Sequence, residues 1–368
     1  MSHFDVIVIG GGIAGISAGA EIAAEARVLV LEAEPAIGYH ATGRSAALFI
    51  RNYGNATLRA LNAAAAPFLD APEGVCEGSL LTPRGELLVA TEDELGALEA
   101  YAEGSDGLER LEAKEAVELV PILRPERIAA AVLERDAQDI DVDRMLQGYA
   151  RLLKSRGGRV ETGQRIEAVA REGGVWRVRT ADGAFEAPVV VDAAGAWADT
   201  VARLAGAAPC GVAPLRRSAA ILPAPEGHDI AHWPMFGSAS EAWYAKPDAG
   251  KLMVSPADED PVEPHDAWAD DMVLAEGLHR FEQAVTMPVT RVERSWAGLR
   301  SFAPDRAPVV GFDPACVGFF WLAGQGGYGV QTAPALSRLA ADLVAGRAPA
   351  LAAPVVAALD PSRFPRAA

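Results

Sequence analysis

The chain is predicted to be an α/β protein built on a parallel sheet, with a second, antiparallel region inserted into it, and three observations predict this. Phe4 to Ile9 (FDVIVI) is a short apolar run that enters Gly10, Gly11, Gly12 and Gly15. Small and apolar residues follow at helical spacing from Ile13 to Glu25, and a second run, Arg27 to Leu31, closes on Glu32. Two later runs, Val189 to Asp192 and Gly318 to Ala323, are as short and as continuously apolar as strands buried on both faces. Between these runs lie long stretches of alternating residues and turn signals, which read as antiparallel strands. At 368 residues the chain exceeds what one core usually serves, so two domains are expected.

In the first unit each glycine has a physical task. Gly10 makes the tight turn, Gly12 lets the backbone approach a pyrophosphate, and Gly15 lets the helix lie close on the strand. The free N–H groups at the helix start, from Ile13 and Ala14 onward, suit the pyrophosphate itself. Glu32, twenty-two residues after Gly10, stands where a carboxylate would accept from a ribose 2′-hydroxyl, and an acid there disfavours NADP. This order of strand, glycines, helix, strand and acid predicts a Rossmann-like dinucleotide site. Next comes a turn-rich loop, Pro35 to Ala47, read as leading into a small-residue helix start. Thr42, Gly43, Arg44, Ser45 and Ala46 offer hydroxyl, guanidinium and N–H donors for a second approach to the ligand. The same residues also suit an ordinary helix cap with a solvated arginine.

From Asn55 to Ala137 the pattern changes. Leu80 to Ala90 (LLTPRGELLVA) reads as strand, turn and strand, and Glu92 to Glu118 is acidic and helix-favouring. Asp143 is expected to cap a helix from Met145 to Arg156 that stops at Gly157-Gly158. A β-meander follows, with runs at Arg159 to Thr162, Ile166 to Arg171, Val175 to Thr180 and Ala184 to Glu186. After Val189 to Asp192, the small residues Ala193 to Ala196 let a backbone pass close to a ligand. Leu215 to Leu222, Ala242 to Lys246 and Lys251 to Ser255 suggest antiparallel strands. Gly318 to Ala323 then feeds Gly324-Gln325-Gly326-Gly327-Tyr328-Gly329 and a helix from about Thr332 to Val344, a second glycine loop at a helix start. The expected division is a discontinuous nucleotide domain (1–54, 138–211 and 294–368) and an α+β substrate domain (55–137 and 212–293).

Composition narrows the function. A net charge of −17 without a basic stripe would repel nucleic acid. Cys76, Cys210 and Cys316 are scattered singly, and the six histidines form no metal-binding pattern. No run approaches the length of a membrane span, and the chain reaches its first strand within about four residues. A soluble, cytoplasmic protein without a leader is the expectation.

Longer blocks carry a resemblance. GYHATGRSAA (Gly38 to Ala47), RRSAAI (Arg216 to Ile221), YAKPDAG (Tyr244 to Gly250), SPADEDPVEPHD (Ser255 to Asp266), WAGLRSF (Trp296 to Phe302) and GFFWLAGQGGYGVQT (Gly318 to Thr332) resemble the D-amino-acid oxidase superfamily of FAD-dependent amine oxidoreductases. Within it, the D-arginine dehydrogenases are similar over nearly the whole length. The resemblance implies a glutathione-reductase-type FAD domain and a non-covalent FAD. It also implies oxidative deamination of a D-amino acid: the Cα hydride passes to flavin N5 and the imine hydrolyses to a 2-keto acid and ammonia. Oxygen, a quinone or a protein remain open as electron acceptor.

By the same resemblance Arg300 and Arg217 take the substrate carboxylate, Tyr53 and Tyr244 contact and enclose the substrate, and Glu86 faces a cationic side chain. Ile166, Ala194, Gly195, Trp197, Arg300, Gly326, Gly327, Tyr328, Gly329, Gln331 and Thr332 complete the expected cofactor contacts. Arg217 is equally readable as a solvated edge charge, the tyrosines as core aromatics and Glu86 as a hairpin charge. Leu48 stands where the arginine-preferring enzymes have histidine, which makes the pocket more apolar, so large apolar side chains join basic ones as expected substrates. A glycine or sarcosine oxidase-like enzyme, a 2-hydroxy-acid flavoenzyme and a flavin-binding protein without turnover are the rival readings.

Overall fold

The computed structural model describes residues 2–364. Its parallel sheet runs in the order Arg159–Glu161, Val28–Leu31, Val6–Ile9, Val189–Asp192 and Phe319–Ala323, with Val309–Phe312 antiparallel on the far edge. Both faces of this sheet are covered, which is why its central strands read as unbroken apolar runs. Val6, Val8, Val28 and Val30 face one core, with the helices Ile13–Ile22, Ala56–Asp70, Val142–Ser155 and Gly329–Val344. Ile7, Ile9, Leu29 and Leu31 face another, with the helix Ala198–Ala205 and Trp176 and Val178 of the meander. Successive side chains of a strand point to opposite faces, so one run of four residues serves two cores.

The second sheet is large and mostly antiparallel. Its path is Asp260–Pro261, Ala213–Leu222, Lys251–Ser255, Tyr244–Asp248, Met235–Ser238, Glu86–Ala90, Ala130–Glu134 and Leu108–Leu111, with Arg294–Phe302 paired to Ala213–Leu222. The helix Asp271–Ala284, which sequence patterning did not isolate, packs Leu274, Leu278 and Phe281 onto it, and the Asp270 side chain caps its first turn. No described helix is long and apolar enough to cross a membrane.

Several expectations are corrected. Arg159–Glu161 pairs with Val28–Leu31 in the parallel sheet, so the meander keeps only Ile166–Glu172, Val175–Thr180 and Gly183–Ala187. Asp141, rather than Asp143, caps the helix Val142–Ser155, because its carboxylate accepts from the Arg144 N–H at 3.0 Å. No helix follows Ser45. Ala41–Arg44 is a single 3₁₀ turn, Ala47 takes φ +38°, and Leu48–Phe49 then pairs with Gln138–Ile140. Leu81–Pro83 and Glu86–Ala90 are strands but not a hairpin, since Gly85 at φ +81° sends them into different sheets. The last long helix begins at Gly329, three residues before Thr332.

Two elements also cross the expected boundaries. Ala56–Asp70 buries Leu58, Leu61, Ala65 and Leu69 in the same core as Ile13–Ile22, and Arg294–Phe302 is hydrogen-bonded into the antiparallel sheet. In both cases the side chains or the ladder follow packing rather than position in the chain.

Candidate active site

A continuous cleft leads from the C-terminal ends of the parallel strands to the face of the antiparallel sheet. Its two halves share Ile13, Thr42, Arg44, Leu299 and Gly326. At the first half, Gly10 adopts φ +112°, and a Cβ there would lie 2.4 Å from the Ala193 carbonyl oxygen. A Cβ on Gly15 would lie 1.9 Å from the Gly10 carbonyl oxygen. Gly12 differs: a Cβ would meet only the Thr42 hydroxyl, at 3.3 Å, because the remaining space is cleft. The helix behind it has no side-chain cap and no acid in its first turn, so the positive end of its dipole is left for an anion. Thr42 accepts from the Ile13 N–H at 3.1 Å and ties the second loop to the first.

Glu32 lies at the strand end. Its carboxylate accepts from the Gly11 N–H at 2.6 Å and the Glu34 N–H at 2.8 Å, which leaves acceptor capacity for a ribose hydroxyl. Ala14, Ile166, Ala194, Gly195 and Trp197 line this half of the cleft.

Other expected contacts are committed elsewhere. Gly43 does not line the cleft, and its N–H closes a turn on the Gly38 carbonyl at 2.8 Å. Arg44 reaches across the cleft mouth to the carbonyls of Ala267 (2.8 Å) and Ala297 (3.1 Å) and to the Asp266 carboxylate (2.5 Å). These bonds tie two parts of the chain together, and Arg44 still lines both halves of the cleft. Ser45 and Ala46 line the inner half, and the Ser45 hydroxyl donates to the Thr42 carbonyl.

The inner half lies against the antiparallel sheet. Leu215 faces Arg300 and Arg217 faces Gly298 across the ladder, so the two arginines project from the same face of adjacent strands. Arg217 is buried, donating to the Asp258 carbonyl at 2.8 Å and to the Glu259 carboxylate at 3.0 Å. Glu259 is in turn gripped by both Nη atoms of Arg306. Arg300 stands 3.5 Å from the Tyr53 hydroxyl, and a Cβ on Gly327 would come within 3.0 Å of its Nη1. The glycine loop therefore presses directly on this guanidinium. Burial pushes the Tyr53 phenol above its ordinary value. Burial also pushes Tyr244 up, but the charges of Arg300 and Arg217 outweigh it and hold that phenol below its ordinary value.

Beyond the arginines the wall turns apolar, with Leu48, Leu88, Met235 and Met253, and then reaches Glu86. Glu86 is only 4% exposed, and the Tyr101 hydroxyl donates to it at 2.7 Å. Burial, with Glu134 and Glu241 nearby, pushes its carboxyl up to about 8. It is a pocket residue and not a solvated hairpin charge.

Gly326, Gly327 and Gly329 line the site, whereas Tyr328 packs between Tyr53 and Phe302 at ring separations of 4.7 and 6.2 Å. Gln331 reaches the inner half but is spent on the Ile50 N–H and the Asn62 side chain. Thr332 is fully buried, and its hydroxyl donates back to the Tyr328 carbonyl. Sequence reasoning missed Tyr101, Met235 and Met253 in the lining and Glu134 opposite Glu86, which carry no motif and meet through strand register and the packing of the helix Leu95–Ala102.

A helix start without an acid in its first turn, opening into a chamber lined by two arginines, tyrosines and a glycine loop, suits a nucleotide cofactor beside an anionic ligand. The chain belongs to the DAO family of FAD dependent oxidoreductases, whose model matches residues 5–343, and its cofactor is FAD. It is 25% identical over 365 residues to a glycine oxidase of Geobacillus kaustophilus, covering 94% of each chain. FAD-dependent oxidoreductase domain-containing protein 1 of Bos taurus is 30% identical over 175 residues, 43% of this chain. The matched region spans 36% of that relative and 35% of its Xenopus laevis counterpart. Among solved structures, an L-proline dehydrogenase from P. horikoshii superposes with a TM-score of 0.85 at 22% identity, over 99% of this chain and 98% of that one. An L-α-glycerophosphate oxidase from Mycoplasma pneumoniae with FAD bound gives 0.81 at 18% identity, over 94% and 95%. These structures share the fold. One relative matched nearly end to end is a glycine oxidase, so these comparisons show the family and not a likeness to D-arginine dehydrogenases in particular.

Proposed function

We propose that the protein oxidises D-amino acids with basic or large apolar side chains, turning the α-amine into an imine that water hydrolyses to a 2-keto acid and ammonia. The observation that carries this reading is the pair Arg217 and Arg300 on one face of adjacent strands, beside the Gly326–Gly329 loop. Two guanidinium groups in a half-buried chamber suit a carboxylate, and an arginine fork gives it a fixed orientation. Bound FAD supplies the two-electron oxidant. Glu259 and the Asp258 carbonyl hold Arg217 in place, and Gly327 leaves Arg300 room beside the cofactor side of the chamber. Tyr53 and Tyr244 shield the bound zwitterion from water.

The apolar wall at Leu48, Leu88, Met235 and Met253 supports large side chains, at about 25 cal/mol per Å² buried. Glu86 in the same lining, with Glu134 opposite it, supports cationic ends and opposes D-Glu and D-Asp. The D configuration is supported by the sequence blocks shared with D-amino-acid enzymes.

The test is anaerobic addition of D- and L-amino acids, glycine and sarcosine to the holoenzyme, with flavin bleaching as readout. D-Arg, D-Lys and D-Met are expected to bleach it, and D-Glu and the L-enantiomers to do so poorly. A second reading, oxidation of glycine or a related small amine, is favoured by the end-to-end match to a glycine oxidase. Bleaching by glycine or sarcosine and by none of the longer D-amino acids would establish that reading instead.

A further inference from the structure

Glu86, which lines the pocket, sits directly opposite Glu134 on the neighbouring antiparallel strand, and the two are 4% and 3% exposed. Opposed positions bring Cβ atoms to about 4.5–5.5 Å, so two full negative charges would repel strongly there. One hydroxyl stands between them. Tyr101 Oη lies 2.7 Å from Glu86 Oε2 and 3.4 Å from Glu134 Oε2, and a phenol has one proton to donate.

The remaining partners are unequal. Glu134 also accepts from the Arg51 N–H at 2.7 Å and from the Asn52 amide nitrogen at 2.6 Å. The orientation of that amide is fixed, since its oxygen accepts from the Asp106 N–H at 3.0 Å. Glu86 has Tyr101 alone among the described side chains that bond it. The titratable groups facing Glu86 are Glu134 from the neighbouring strand, Tyr101 from the helix Leu95–Ala102 and Glu241 from the loop after Met235–Ser238. Met235–Ser238 itself contributes none, and no lysine or arginine is among these groups. Donors to a carboxylate favour its charged form, so Glu134 carries the charge and Glu86 the proton. Burial lifts both carboxyls in the same direction.

We propose that Glu86 and Glu134 hold one proton between them beside Tyr101. A cationic substrate side chain enters this end of the pocket by displacing that proton to solvent, whereas an apolar side chain leaves it in place. The idea rests on the D-amino-acid reading above and names the device by which one site accepts both side-chain classes. A guanidinium or ammonium brings one positive charge, the Glu86 proton leaves to water, and the net charge of the end wall is unchanged. Affinity for the cationic side chain then rises about tenfold per pH unit while the proton is held, and levels once it is gone.

The experiment compares kcat/KM for D-Arg and D-Met in the holoenzyme from about pH 6 to pH 10. Their ratio cancels most of the titration of the α-amine that both carry. The ratio is expected to climb toward the ionisation of Glu86, near pH 8, and then to flatten. In Glu86→Gln it is expected to be flat throughout. A flat ratio in the wild type, or an unchanged climb in Glu86→Gln, overturns the proposal.

A readout independent of turnover is the infrared difference between wild type and Glu86→Gln. It should contain a protonated carboxyl band at neutral pH that vanishes at high pH. Tyr101→Phe, which removes a donor to the charged form, should move that loss to higher pH. Absence of the band overturns proton sharing whatever the kinetics. A holoenzyme bleached by no D-amino acid overturns the preceding functional reading, while the band still decides whether the carboxyls share a proton.

Discussion

Arg300 carries a planar fork whose two nitrogens can meet two carboxylate oxygens, and lysine keeps the charge without the fork. Arg300→Lys is expected to lower kcat/KM about ten- to a hundredfold with flavin content unchanged, measured by steady-state kinetics and the visible spectrum. Flavin loss at constant activity per flavin would assign the arginine to cofactor binding. A different residue controls stability. Asp192 is fully buried at a strand end, and its Oδ1 accepts from the Ala194 N–H. Its Oδ2 has no partner among the described residues, and burial pushes its carboxyl well above the usual carboxylate range. The folded state keeps this proton, while the unfolded chain loses it above about pH 4. The contribution of this group to stability is therefore full at acid pH and falls as pH rises, until the folded carboxyl itself ionises. Asp192→Asn should raise the Tm at pH 7, by the equivalent of about 1–3 kcal/mol, and the gain should vanish near pH 4. A gain independent of pH would point to packing instead.

At the scale of elements, the glycines of the first turn separate into two kinds. Gly15→Ala would drive a methyl into the Gly10 carbonyl and should lower the melting temperature, whereas Gly12→Ala meets only a hydroxyl and should fold normally yet retain little FAD. Melting curves and flavin content distinguish them, and equal losses in both variants would contradict the division. This turn was legible in the sequence because a strand buried on both faces writes itself as VIVI and then meets glycine. Arg159–Glu161 was not, since an edge strand with one apolar residue looks like the start of the meander beside it. Asp141 and Asp143 are both acids near one helix start, and only the backbone decides which becomes the cap. Arg44 looked like a solvated arginine because its partner Asp266 lies 222 residues away. Tyr101 and Glu134 were invisible for the same reason: helix packing and strand register, not spacing, bring them to Glu86.

Across the whole molecule, no cysteine lines the cleft. Cys210 is buried in the core behind the sheet and Cys316 packs against it, with its Sγ directed to the Ala205 carbonyl. Acid precipitation should therefore leave the yellow colour in the supernatant, and colour retained by the pellet would reveal a covalent bond. The strand Arg294–Phe302 has a wider effect. It is paired at every residue to Ala213–Leu222, its Phe302 bridges to Gln325 just before the glycine loop, and the Trp296 indole donates to the Arg44 carbonyl. One strand thus rivets the substrate-facing sheet to the cofactor cradle. A rotation of that sheet against the cradle would break the Phe302–Gln325 bridge and the Trp296–Arg44 hydrogen bond. Small-angle scattering of the holoenzyme should give one radius of gyration with and without a saturating carboxylate inhibitor, because these ties hold the sheet against the cradle in both states.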